Sequence, residues 1–147
     1  MEEIYIPYWL VGLIILVAAI FCLWLFRFIK SKFKGNELYG MDKEQIKKRW
    51  QAIEDLSKDK SEMHYKMAVL EADKLLDHVL KAMAFGGSSL GERLKVACFK
   101  YPNLRRVWAC HKIRNQLVHE ANYRLKESEA RKAITGFKSA LKELRVL

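Results

Sequence analysis

An arginine, an amide and an imidazole stand in the order R-N-x-x-x-H near the end of the stretch NLRRVWACHKIRNQLVHE, as Arg114, Asn115 and His119. The three groups suit a phosphodiester. A guanidinium forks onto phosphate oxygens bidentately. An imidazole titrates near neutral pH, so it takes or returns a proton. Drawn as a helix at about 100° per residue, the stretch places Leu104, Val107, Cys110, Ile113, Leu117 and Val118 on one broad apolar arc. Arg105, Lys112 and Gln116 lie opposite. Arg114 falls inside the apolar arc, between Cys110 and Val118, with Trp108, Asn115 and His119 on its edge. An arginine there needs an acceptor or an interface, because an unpaired buried charge is strongly destabilising. Asp73, Asp77 and Glu120 are the carboxylates that could serve it. On that purely structural account Asn115 bonds a helix terminus and His119 ends the helix, where a partly positive imidazole suits the dipole. The wheel leaves both accounts open.

Other chemistries are excluded by spacing. Cys98, Cys110, His111 and His119 match none of the C-x2-4-C or H-x3-5-H pairs of zinc sites. His111 and His119 are also two helical turns, about 12 Å, apart along the axis, so neither a metal nor a cofactor is expected. The segment GGSSLGERL (Gly86 to Leu94) lacks the G-x-x-x-x-G-K-[ST] phosphate loop and reads as a turn and helix cap. Three scattered cysteines, Cys22, Cys98 and Cys110, indicate reduced thiols rather than a disulfide framework. His64 and His78 are expected at the surface or boundary, and Trp50 and Trp108 in a core or dimer interface.

The elements that must position the triplet read as all-α, with Pro102 the single proline after the N-terminal segment and no sustained alternating pattern. A first helix starts at Asp42, with Gln45 three residues on and an apolar stripe of Ile46, Trp50, Ile53 and Leu56. The polar run Ser57 to Ser61 ends it. A second runs from about Ser61 to Phe85, with Met67, Leu70, Leu75, Leu76, Val79 and Met83 on its apolar side, and Gly86 and Gly87 stop it. Ser89 and Glu92 form a capping box for a short third helix carrying Leu90, Leu94 and Val96. Asn103 opens a fourth that reaches His119. Ser128 caps a fifth, with Ala133, Phe137, Leu141 and Leu144 facing the core. Gly136 inside it costs about 1 kcal/mol relative to alanine, which marks a close helix contact. No internal repeat or low-complexity segment is present.

The chain has 27 Lys/Arg against 17 Asp/Glu, a net charge of +10, and all but four of the basic and three of the acidic residues lie from Met41 onward. That excess points to an anionic partner, RNA or the inner-leaflet lipid surface, without choosing between them.

Ile4 to Phe26 contains no charged side chain. As a helix it spans about 34 Å, enough to cross a bilayer core of about 30 Å. Glu2 and Glu3 precede it, and Arg27, Lys30, Lys32 and Lys34 follow. The basic flank stays cytoplasmic, so the expected protein is single-pass in the cell membrane, N-terminus outside and C-terminal domain inside. Tyr5, Tyr8 and Trp9 at one end and Trp24 at the other resemble interfacial aromatic belts. A cleaved signal peptide is disfavoured by the acidic n-region and the length of the apolar run, and lipidation at Cys22 by the bulky Phe21 before it, where a lipoprotein cleavage site needs a small residue. The expected organisation is an anchor over 1–29, a basic linker over 30–40 and a helical domain over 41–147.

The segment RNQLVHE, Arg114 to Glu120, resembles the R-x4-6-H motif of the HEPN superfamily (higher eukaryote and prokaryote nucleotide-binding domains). The order of elements is similar as well: a long helix, the segment GGSSLGERL, the motif helix, and a closing helix from Ser128. The resemblance covers roughly Glu44 to Leu144 and leaves the anchor outside it. It implies a bundle of about five helices, a homodimer through the motif helix, and metal-independent RNA cleavage leaving 2′,3′-cyclic phosphate ends. Arg114 would hold the scissile phosphate, His119 would act as general base or matching acid, and Asn115 would orient the two. Leu117 stands where HEPN toxins paired with nucleotidyltransferase antitoxins carry a tyrosine, so that partnership is not implied. Some HEPN-like domains are non-catalytic, and a tethered adaptor binding RNA, anionic lipid or protein is the alternative.

Overall fold

The computed structural model describes residues 8–33 and 38–147, the side chains of 28–33 excepted. Tyr5, the acidic pair Glu2 and Glu3, and the middle of the linker lie outside the described residues. The chain divides into two compact units, Met1–Gly35 and Asn36–Leu147.

The first unit contains α1, Tyr8–Phe33. Its stretch Tyr8–Arg27 has a mean hydropathy of 2.8 and none of it is buried. The helix is long and apolar enough to cross a membrane. Tyr8 and Trp9 lie at one end of that stretch, and Trp24 stacks on Phe21 toward the other, with ring centroids 6.0 Å apart.

The second unit is a bundle of α2 (Lys43–Lys58), α3 (Glu62–Ala82), α4 (Leu90–Lys100), α5 (Val107–His119) and α6 (Glu127–Glu143). Helix α3 is central, packing against α2, α4, α5 and α6. Its buried stripe runs through Tyr65, Ala68, Val69, Ala72, Leu75, Leu76, Val79 and Leu80, at the i, i+3, i+4 recurrence of a core-facing helix. Met67 lies off that stripe and is exposed, as is Val96 on α4. The core side of α4 is instead set by Leu90, Arg93, Leu94 and Ala97.

Helix ends depart from expectation for identifiable reasons. Helix α3 stops before Gly86, because Ala84 takes the left-handed conformation (φ 60). The Phe85 N–H donates to the Leu80 carbonyl at 3.0 Å, the closing bond of a Schellman motif. Gly87 (φ 145) is required by crowding: a Cβ there would lie 2.8 Å from the Glu92 Cβ and 2.9 Å from the Arg93 nitrogen. The Ser89 Oγ accepts from the Glu92 N–H at 3.3 Å, while the Glu92 carboxylate reaches back to the Ser88 N–H at 2.6 Å. The run into α5 begins as a 3-10 turn over Pro102–Arg106. Helix α6 starts one residue before Ser128, with the Lys126 N–H donating to the Glu129 carboxylate at 3.2 Å.

Gly136 does mark a close contact. A Cβ there would sit 2.3 Å from the Cys110 Sγ, so α5 and α6 touch with no room for a methyl. Gly136→Ala should lower stability by about 1–3 kcal/mol through overpacking, and Cys110→Ala in the same chain should recover part of it. Ala84→Gly, by contrast, should raise stability by about 1 kcal/mol by removing left-handed strain. Thermal melting of the three variants checks both.

Candidate functional site

Helices α3 and α5 meet at a buried carboxylate. Asp73, near the middle of α3, is 4% exposed. Its Oδ1 accepts from the His111 Nδ1 at 2.7 Å, and its Oδ2 lies 3.2 Å from the Arg114 Nε. Residues 111 and 114 are three apart on α5 and so share a face. Helical side chains lean toward the N-terminus, which brings the longer arginine back to the level of the histidine. A carboxylate only accepts, so the His111 Nδ1 carries the hydrogen and the tautomer is fixed. Among the three candidate acceptors for Arg114, Asp73 is the partner. Asp77, one turn on, binds Arg93 at 2.6 Å, and Glu120 is exposed beyond the end of α5.

The Arg114 Nη1 donates to the Asn115 Oδ1 at 3.1 Å. The guanidinium is therefore held at Nε and at Nη1, and its side chain remains 34% exposed. Beside it opens a cleft of about 580 Å³, lined by Asp73, Lys74 and Asp77 of α3, Ser89, Leu90 and Gly91 at the start of α4, and His111, Arg114 and Asn115 of α5. The carboxylates around it are paired, Glu71 with Lys74 at 3.6 Å and Arg49 at 3.9 Å, so Arg114 is not swamped by free negative charge. A second cavity, about 650 Å³ between the 3-10 turn and α6, has Arg106, Arg131 and Lys132 on its wall but no histidine.

Of the three residues singled out by sequence, Arg114 and Asn115 come together and His119 does not join them. His119 is the last residue of α5, exposed, about 7.5 Å farther along the axis than Arg114. The residues that do join Arg114 are His111 and Asp73. His111 is passed over on sequence alone; the signals present were an acidic residue interrupting the apolar stripe of α3 and the i, i+3 spacing of His111 and Arg114. The remaining histidines have partners, His64 with Asp59 at 2.8 Å and His78 with the Arg49 Nη1 at 3.0 Å. Trp50 is core, its indole N–H donating to Glu54 at 2.8 Å, whereas Trp108 is exposed and lies outside the core, beside His111. Burial pushes the Cys110 thiol up, and the Asp73 charge adds to this, so Cys110 is no thiolate nucleophile.

Comparison with protein-family models, curated proteins and solved structures gives no match to this chain. What the site does rests on its geometry.

Asp73→Ala removes the hydrogen-bond acceptor of the largely buried His111 and the ion-pair partner of Arg114. It should destabilise the bundle by about 2–4 kcal/mol, measured by chemical denaturation. A second expectation concerns His78, whose pKa burial and the Arg49 charge hold below the ordinary imidazole value. The unfolded chain then takes up a proton at a higher pH than the folded chain does. Stability is full above the ordinary imidazole range and falls as pH drops through it. His78→Gln should flatten that part of the melting curve.

Proposed function

We propose that the chain is a membrane-anchored, metal-independent endoribonuclease with a HEPN-like helical domain. The observation that carries this reading is the guanidinium of Arg114, fixed by Asp73 and Asn115 and exposed in a cleft beside an imidazole. Charge supports the substrate class: residues 93–119 hold seven Lys/Arg and no Asp/Glu, and Lys95, Lys100, Arg105, Arg106 and Lys112 are exposed to meet a phosphate backbone.

In this reading Arg114 binds the scissile phosphate and stabilises the charge that develops on it. Asn115 keeps the guanidinium oriented. His119 moves a proton, as base or as matching acid, and the product carries a 2′,3′-cyclic phosphate. A homodimer through the motif helix brings the exposed end of α5, with Val118 and His119, to a second copy. Helix α1 is the single-pass anchor in the cell membrane, N-terminus outside, and the basic residues from Arg27 onward, after the apolar run, keep the domain at the cytoplasmic face. Confinement to one membrane raises the effective concentration of the two copies.

The distance of His119 from Arg114 within one chain favours a second reading, a non-catalytic adaptor that binds RNA, anionic lipid or protein through the same bundle. Full-length protein in detergent micelles, incubated with mixed single-stranded and structured RNA in excess EDTA, separates the two. The nuclease reading expects cleavage with cyclic-phosphate ends, reduced at least about hundredfold in folded Arg114→Ala and His119→Ala. Intact RNA after exposure to folded, dimeric wild-type protein would leave the adaptor.

A further inference from the structure

The His111 imidazole is held more firmly than a histidine needs to be for packing alone. Its Nδ1 is bonded at 2.7 Å to a carboxylate that is itself buried. That fixes the ring and leaves Nε2 with no hydrogen bond among the described residues. The same carboxylate holds Arg114, so imidazole and guanidinium are set on one anchor and both line the cleft.

The His111 side chain is 13% exposed, and its Nε2 faces the first turn of α4. Gly91 occupies the first turn of α4, where alanine would make a better helix. A Cβ at that position would lie 3.9 Å from the His111 Nε2 and 3.6 Å from the Trp108 ring, ordinary contact distances. Nothing in the packing therefore requires glycine, yet any side chain would cover the nitrogen. Trp108 borders the same spot, its ring roughly perpendicular to the imidazole with centroids 6.2 Å apart. A purely structural ion pair would not need a glycine in front of Nε2.

We infer that His111, positioned by Asp73, is the base that takes the 2′-hydroxyl proton of an RNA strand whose phosphate lies on Arg114. This rests on the ribonuclease reading above and assigns the base within it. The Nε2 takes the hydroxyl proton, the 2′-oxygen bonds to phosphorus, and the bond from phosphorus to O5′ breaks. The O5′ leaves with a proton from the acid, the part that falls to His119. The proton on His111 returns to solvent, so one phosphodiester becomes a cyclic phosphate and a 5′-hydroxyl with no net gain or loss of atoms. Side-chain lean supports the division, since the Arg114 head lies level with His111 rather than with His119.

The test is the pH–rate profile of full-length protein in micelles on a single-stranded RNA, for wild type, His111→Ala, His119→Ala and Gly91→Leu. A base must be deprotonated, so His111→Ala should lose the acidic limb and at least about a hundredfold in rate, with added imidazole restoring part of it. His119→Ala should lose the alkaline limb instead. Gly91→Leu, which leaves the imidazole in place, should keep its melting temperature while losing at least about tenfold in rate. A wild-type enzyme that cuts RNA, with His111→Ala keeping both limbs or Gly91→Leu keeping full rate, overturns the assignment and leaves the ribonuclease reading standing. A rate loss in His111→Ala that imidazole does not restore, accompanied by a lowered melting temperature, makes His111 structural and also overturns it. A wild-type chain that cuts no RNA overturns both.

Discussion

The buried carboxylate of Asp73 is the constraint on which the bundle and the site both depend. Taking an ion out of water costs several kcal/mol, and good geometry to its partners must offset that. Asp73 sits on α3, the helix against which the other four helices of the bundle pack. Its two partners both come from α5. The register of α5 is thereby fixed: a shift of one residue turns the helix by about 100° and carries His111 and Arg114 off the carboxylate. A polar interaction that is costly to bury thus specifies how one helix lies on another.

Close packing on a neighbouring face of α5 reinforces the same placement. Cys110, next to His111, meets the bare backbone of Gly136 on α6. Helix α5 is then held between a polar contact on α3 and a van der Waals contact on α6, with Val107 and Leu104 filling the core between. Arg114 emerges from this clamp with its orientation set, since Asp73 pairs with its charge and Asn115 accepts from its Nη1. A guanidinium so preorganised loses little side-chain entropy on meeting a phosphate.

Much of the fold was legible in the sequence because helical periodicity, serine caps and turn residues report local physics. Ser89 caps α4 as its spacing implies, whereas Ser128 lies inside α6 rather than capping it, and Gly136 lies at a close contact as a mid-helix glycine suggests. The failures are equally specific. Met67 and Val96 are apolar, but residue type does not say which side of a helix its neighbours cover. Gly86 and Gly87 are natural stops, yet the hydrogen bonds at the end of α3 put the left-handed residue at Ala84. At the site, Arg114 could be assigned a short choice of acceptors from its place on the wheel. The His111 contact could not, because Asp73 is 38 residues away on another helix and only packing joins them.

The most direct measurement of the central claim is the nitrogen-15 spectrum of the imidazoles in full-length protein in micelles, with the four histidines assigned by single substitution. The account predicts that His111 carries its hydrogen on Nδ1, in slow exchange with water, and that Asp73→Asn changes this signal alone. A His111 ring that averages between tautomers, or whose spectrum is the same with and without the Asp73 carboxylate, would contradict it.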